Sequence, residues 1–175
     1  MTQHIVVMGV SVCGKTTVGE GIAAALGWPF DEGDQDHPPA NVAKMEAHIP
    51  LTDADRLPWL TILAGRIAGH ERAGRSSVLS CSSLKRSYRD ILRVGAPHVR
   101  FVHLSGDPAL LAARLGARRD HFFPADLLAS QLADLEPLAP DEDGVTVDIA
   151  LSPADQVRAS LVRLGLTPAG SVDLG

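Results

Sequence analysis

Three groups of residues in this chain have the types and spacing to do chemistry on a phosphate. The first is the run Gly9, Val10, Ser11, Val12, Cys13, Gly14, Lys15, Thr16 and Thr17. From Gly9 to Thr16 it satisfies G-x-x-x-x-G-K-[ST], a loop whose backbone N–H groups cradle phosphates while its lysine reaches the outer phosphates and its hydroxyl meets Mg²⁺. The second is "FDEGDQDHP", where Glu32 and Asp34 flank Gly33. Beside a phosphate site, one carboxylate can hold water around Mg²⁺ and the other can accept a proton from an attacking hydroxyl. The same residues also suit an acidic turn, and His37, before Pro38, suits a structural hydrogen bond as well as a ligand contact.

The third group is cationic. Arg56 falls one turn into a helical pattern, where a guanidinium opposes the dipole unless an anion is near; Asp53, Glu46 or a ligand would serve. Asp53 itself reads first as that helix's N-cap. Lys85 and Arg89 are four apart and share a helix face, a spacing that can grip one anionic ligand or face solvent. Further on, Arg114, Arg118, Arg119 and His121 surround a helix end. A mobile arginine segment there would neutralise charge on a transferring phosphoryl group and exclude water, although a basic helix terminus also explains one of the arginines.

These residues need elements to hold them. "HIVVM" before the phosphate loop is a β-branched run, and "TTVGEGIAAALG" after it has helical spacing closed by Gly27, so the loop joins a strand to a helix. Further strands are expected near 28–31 and at 77–81, 99–104 and 145–149. Helices are expected at 40–47, 53–73, 83–94, 107–118, 125–133 and 154–164. Strands alternating with helices imply an α/β fold, with a parallel sheet covered on both faces and ligands at the strands' carboxyl ends. Residues 1–166 read as one domain and "TPAGSVDLG" from 167 as a flexible tail.

The chain has 175 residues, with 21 Asp plus Glu against 16 Lys plus Arg. That acidic excess gives no support for a general nucleic-acid or membrane-surface binder. The two cysteines, Cys13 and Cys81, have no metal-ligand spacing, which argues against a disulfide scaffold or zinc module and for a reducing cytoplasm. The apolar start runs into the phosphate loop rather than a cleavage site, and no apolar run of about 18 residues suits a membrane span.

Taken in order, "MGVSVCGKTT", "GDQDHPPANVAKM", "IPLTDADRLPWL", "CSSLKRSYRDILR" and "HFFPADLLASQLADLEPLAPDED" resemble the gluconokinase family of P-loop small-molecule kinases over residues 4–165. The resemblance implies a nucleoside-monophosphate-kinase-like fold: a five-stranded parallel sheet, residues 35–60 covering the acceptor and a small lid at 114–124. It implies transfer of the γ-phosphoryl group of ATP to the 6-hydroxyl of D-gluconate, with a homodimer suggested. Residues Gly9 to Thr17 would then hold ATP, with Thr16 and Glu32 on Mg²⁺. Lys15, Asp34 and Arg118 would carry the chemistry, and Asp34, His37, Arg56, Lys85 and Arg89 would bind gluconate. Competing readings are a shikimate or nucleoside monophosphate kinase and a catalytically silent nucleotide-binding module. A GTP switch would need an N/T-K-x-D segment, which the sequence lacks.

The chain also departs from the family pattern, which has Gly-Ser at Val12-Cys13, Gly at His48 and a small residue at Asp120. Val12 is expected to be tolerated at negative φ, since only the loop's N–H groups need point inward. Cys13, beside Lys15 at a helix N-terminus, is expected to have a lowered pKa and to react before Cys81, unless it merely fills a small loop position. Asp120 is expected to pair with Arg118 or Arg119.

Overall fold

The structure, a computed structural model, describes residues 1–118 and 124–170. Strand β1 (His4–Met8) is buried along its whole length, as a central strand of a two-faced parallel sheet must be. It delivers the phosphate loop to helix α1 (Lys15–Leu26), which stops at Gly27 in the left-handed conformation. Then follow β2 (Phe30–Glu32), a 3₁₀ turn (Gly33–Asp36), α2 (Pro39–Glu46), α3 (Asp53–Arg72), β3 (Ser77–Ser80) and α4 (Arg86–Arg93). The chain continues through β4 (Val99–Ser105), α5 (Pro108–Ala117), α6 (Ala125–Asp134), β5 (Gly144–Asp148) and α7 (Pro153–Leu164).

All five strands are parallel, in the order β2-β3-β1-β4-β5. The chain moves from β1 to one edge, then back across the sheet through β3 and β4 to β5. Right-handed crossovers therefore place α1 on one face and α3 and α4 on the other. The contacts agree: α1 packs on α7, and α3 on α4. Among the described residues no helix is long and apolar enough to cross a membrane.

Two element starts lie two or more residues from the sequence expectation and one helix cap differs from it, each for a local reason. Strand β2 starts at Phe30 because the Trp28 N–H is spent on Ala23 O, closing α1, and Pro29 has no N–H to give. Helix α4 starts at Arg86 because Ser83 has φ 47. The N-cap of α3 is Thr52, not Asp53: the Thr52 hydroxyl accepts from Asp55 N while the Asp55 carboxylate accepts from Thr52 N, a reciprocal capping box. Residues 171–175 of the expected tail and 119–123 of the expected lid, with Arg119, Asp120 and His121, lie outside the described residues. Within the described part of the tail, Ala169 donates to Ala25 O.

The stretch between α6 and β5 is tied to α4 by a buried ion pair. Arg89 Nε and Nη2 donate to the Glu142 carboxylate, each at 2.7 Å, with side-chain exposures of 0% and 1%. Arg89 Nη1 donates to the carbonyls of Ser83 and Glu136, each at 3.0 Å. Hydrogen bonds from Arg89, aided by Arg93 and opposed by burial, hold the Glu142 carboxyl down at about 2 from its usual 4.5. A depressed carboxyl pKa contributes stability that is full above about 4.5 and lost as pH falls toward 2. Glu142→Gln should cost roughly 3 kcal/mol at pH 7 in urea unfolding, because it strands a buried guanidinium. It should also flatten the acid decline of stability between those two pH values.

Candidate active site

The carboxyl ends of β1, β2 and β3 open into a cleft of about 700 Å³. Its floor is the phosphate loop. Gly9 has φ 143, and a Cβ there would lie 2.7 Å from Cys13 Sγ and 2.8 Å from Leu104 O, so only glycine lets the loop turn so tightly above β4. The loop is tied to the end of β3 by Gly9 N donating to Ser82 O. Helix α1 then starts from Gly14 with no side-chain cap and no acidic residue in its first turn. Its leading N–H groups and its dipole thus face the cleft as an anion site, with Lys15 added to them. Lys15 Nζ lies over the loop, donating to Val10 O at 3.0 Å.

The acidic turn is held beside this floor. A Cβ on Gly33 would lie 2.1 Å from Ser80 O, so the turn reaches β3 only because residue 33 is glycine. Trp59 of α3 fixes it from the other side, its Nε1 donating to Gly33 O at 2.8 Å. The Glu32 carboxylate accepts from the Thr16 hydroxyl, from Ser80 Oγ at 2.5 Å and from Asp34 N at 3.3 Å. Thr16 and Glu32 are therefore adjacent hard oxygen donors, a pair that fits Mg²⁺ arriving with its phosphates and waters. Among the described residues no three of His, Cys, Asp or Glu gather as a metal cage.

Asp34 projects into the cleft with its side chain 66% exposed. His37 stacks on Trp59 with ring centroids 4.0 Å apart. Burial pushes the His37 pKa down, against the pull of Asp34, so the ring is neutral at pH 7. Asn41 Nδ2 donates to Asp55 O and also meets His37 Nδ1 at 3.3 Å. Nδ1 is then the acceptor, and the ring proton sits on Nε2, which faces Asp34 Oδ1 at 4.0 Å.

The three expected acceptor cations separate. Arg56 lines the cleft, and its anionic partner is Asp134 at 3.1 Å rather than Asp53 or Glu46; Tyr88 Oη accepts from the same nitrogen at 2.9 Å. Lys85 pairs with Asp53 at 3.0 Å and does not line the cleft. Arg89 is committed to Glu142. The expectation that Lys85 and Arg89 grip one ligand is thus corrected: the helix turns Arg89 inward, where its donors are spent on protein acceptors. Arg118, at the end of α5, does line the cleft.

Over nearly its whole length the chain is similar to known kinases. The gluconokinase of Gluconobacter oxydans (strain 621H) is 50% identical over 92% of this chain and 90% of its own. The chain superposes on a gluconokinase from Sinorhizobium meliloti 1021 with TM-score 0.86 and 49% identity, covering 93% and 91% of the two chains. A sugar kinase from Janibacter sp. HTCC2649 gives TM-score 0.92 at 47% identity, covering 97% and 98%. The chain belongs to the gluconokinase family. No family model matches it.

Val12 and His48, where the resemblance led glycine to be expected, both have φ 60. The expectation of a negative φ at Val12 is therefore corrected: the valine occupies the conformation that glycine would. Cys13 also departs from expectation. Its side chain turns under the loop toward Gly9, and burial pushes its pKa up, outweighing Lys15. Burial likewise raises Cys81, to about 12.

Sequence reasoning missed Gln131, Ser82 and Ser130 in the cleft wall, together with Met45, Ile49 and Leu51. Gln131 and Ser130 fall in the quoted "LLASQ" block, which was their available signal. With both thiols buried and protonated, neither Cys13 nor Cys81 should alkylate in the folded protein at pH 8, with or without Mg-ATP. Both should label once urea unfolds the chain, as peptide mass spectrometry would show.

Proposed function

We propose that this chain transfers the γ-phosphoryl group of ATP to the 6-hydroxyl of D-gluconate. The observation that carries the proposal is one cavity shared by a phosphate loop, an exposed carboxylate and a cation, Lys15, Asp34 and Arg56, in a chain half identical to a gluconokinase. ATP's phosphates suit the loop from Gly9 to Thr17, where α1 offers uncapped N–H groups. Mg²⁺ would be held by Thr16, with Glu32 beside it, and supplies charge neutralisation on the phosphates.

Gluconate brings a carboxylate and a row of hydroxyls. Arg56 is the cation suited to that carboxylate, since one of its terminal nitrogens is held by Tyr88 and Asp134 and the planar fork is thereby oriented. His37 Nε2–H and Asp34 suit the hydroxyls. At the far end of the acceptor, Asp34 takes the proton of the attacking 6-hydroxyl. The new oxygen–phosphorus bond forms as the bond from the γ-phosphorus to the bridging oxygen breaks, and ADP leaves. Lys15 and Arg118 offset the charge that spreads over the transferring group. Met45, Ile49 and Leu51 give the acceptor-covering segment an apolar face that excludes water.

A coupled ADP-release assay across gluconate, shikimate and AMP should give kcat/KM for gluconate at least about tenfold above the others, or about 1.4 kcal/mol in transition-state binding. Equal or better use of another acceptor would overturn the named substrate. Arg56→Lys should raise the KM for gluconate by about tenfold or more with a smaller change in kcat, and Asp34→Asn should lower kcat by roughly two orders of magnitude with ATP affinity nearly unchanged.

A further inference from the structure

Gln131 has a second task in the cleft, and its chemistry follows from what it touches. The Ser11 N–H donates to Gln131 Oε1 at 2.7 Å, joining the phosphate loop to α6 across 120 residues of sequence. A backbone N–H can only donate, so the carboxamide oxygen must face the loop and the –NH₂ must turn away from it. No acceptor among the described residues takes that –NH₂. Gln131 lies in the cleft wall with Ser11, Lys15 and Arg118, and the same cleft is lined by Asp34 and Arg56.

We infer that Gln131 is a binding residue for the terminal phosphate of the nucleotide, its carboxamide oriented by Ser11 and its two N–H donors presented to the phosphoryl oxygens. The inference rests on the phosphoryl transfer proposed above. The loop gives up one N–H to Gln131 Oε1 and receives two donors in exchange. Those donors sit on the wall shared with Asp34, and the one phosphate that must reach the acceptor side is the one transferred. The inner phosphates are served by the N–H groups at the start of α1, so Gln131 distinguishes a nucleoside triphosphate from a diphosphate.

The test is calorimetric binding of Mg-ADP and of a Mg-bound non-hydrolysable ATP analogue to the wild type, Gln131→Glu and Gln131→Leu, with thermal melting as the check on folding. Gln131→Glu keeps the acceptor for Ser11 N–H but puts an anionic oxygen where the donors were. It should weaken the analogue at least about tenfold more than ADP at an unchanged melting temperature. Gln131→Leu should weaken the analogue in the same sense. Equal loss of both ligands in Gln131→Glu, or no loss of either, would reduce Gln131 to a structural tie and overturn the inference. Tighter analogue binding by Gln131→Leu would show a plug that phosphate displaces, and would also overturn it. These readouts need no acceptor: a wild type that binds nucleotide but ignores gluconate would sink the substrate assignment alone, whereas one that binds no nucleotide would overturn both.

Discussion

Helix α1 begins with Gly14 as its cap and Lys15 in its first turn, so its cap residue has no side chain to accept from the leading N–H groups. Such an end is costly to leave facing a cleft: the first N–H groups of a helix have no partner within it, and a lysine adds its charge to the positive pole of the dipole. A bound polyphosphate resolves both at once. The remaining architecture serves to bring that end to the surface of a rigid body. The buried strand β1 fixes where the loop starts, Gly9 allows its tight turn, and the packing of α1 on α7 fixes where the helix points.

The acceptor side depends on a second close approach. Because Gly33 lets the 3₁₀ turn meet β3, Glu32 comes within reach of Thr16 while Asp34 projects into solvent. Two carboxylates two residues apart thereby acquire different surroundings. Glu32 is pinned by three donors, and Asp34 is left able to receive a proton. Trp59, with His37 stacked on it, braces the turn from the side of helix α3, so the orientation of Asp34 is coupled to α3, which also carries Arg56. The proposed base and the proposed carboxylate-binding cation therefore share one rigid support, which is the precision that transfer between two substrates requires.

Much of this was legible in the residues, and what was not has identifiable causes. β-branched runs and a complete phosphate motif are local signals, so the five strands and the loop could be read directly. Thr52 and Asp55 also carried a local signal, a reciprocal cap three residues apart, that Asp53, itself a favoured cap type, obscured. Helical spacing showed that Lys85 and Arg89 share a face but not which way it turns; that depended on Glu142, 53 residues beyond Arg89. Gln131 could not be found from the loop because its partner Ser11 is 120 residues away. For Cys13, dipole and lysine were visible in sequence, but the depth of the thiol under Gly9 was not, and desolvation outweighs both.

Val12 shows how the loop can keep its shape without the usual glycine. A β-branched residue at φ 60 costs on the order of 1–2 kcal/mol relative to the ordinary helical or extended regions. The residue is 7% exposed and belongs to the core cluster that includes Val10, Cys13 and Val18. Burying a valine contributes about 1.5–3 kcal/mol, enough to offset that strain. Glycine would adopt the same φ freely but would bring no side chain to the core and would lose more conformational freedom on folding. At position 12 the phosphate loop of this chain is thus held by packing beneath it rather than by backbone permissiveness, and the two routes lead to the same φ.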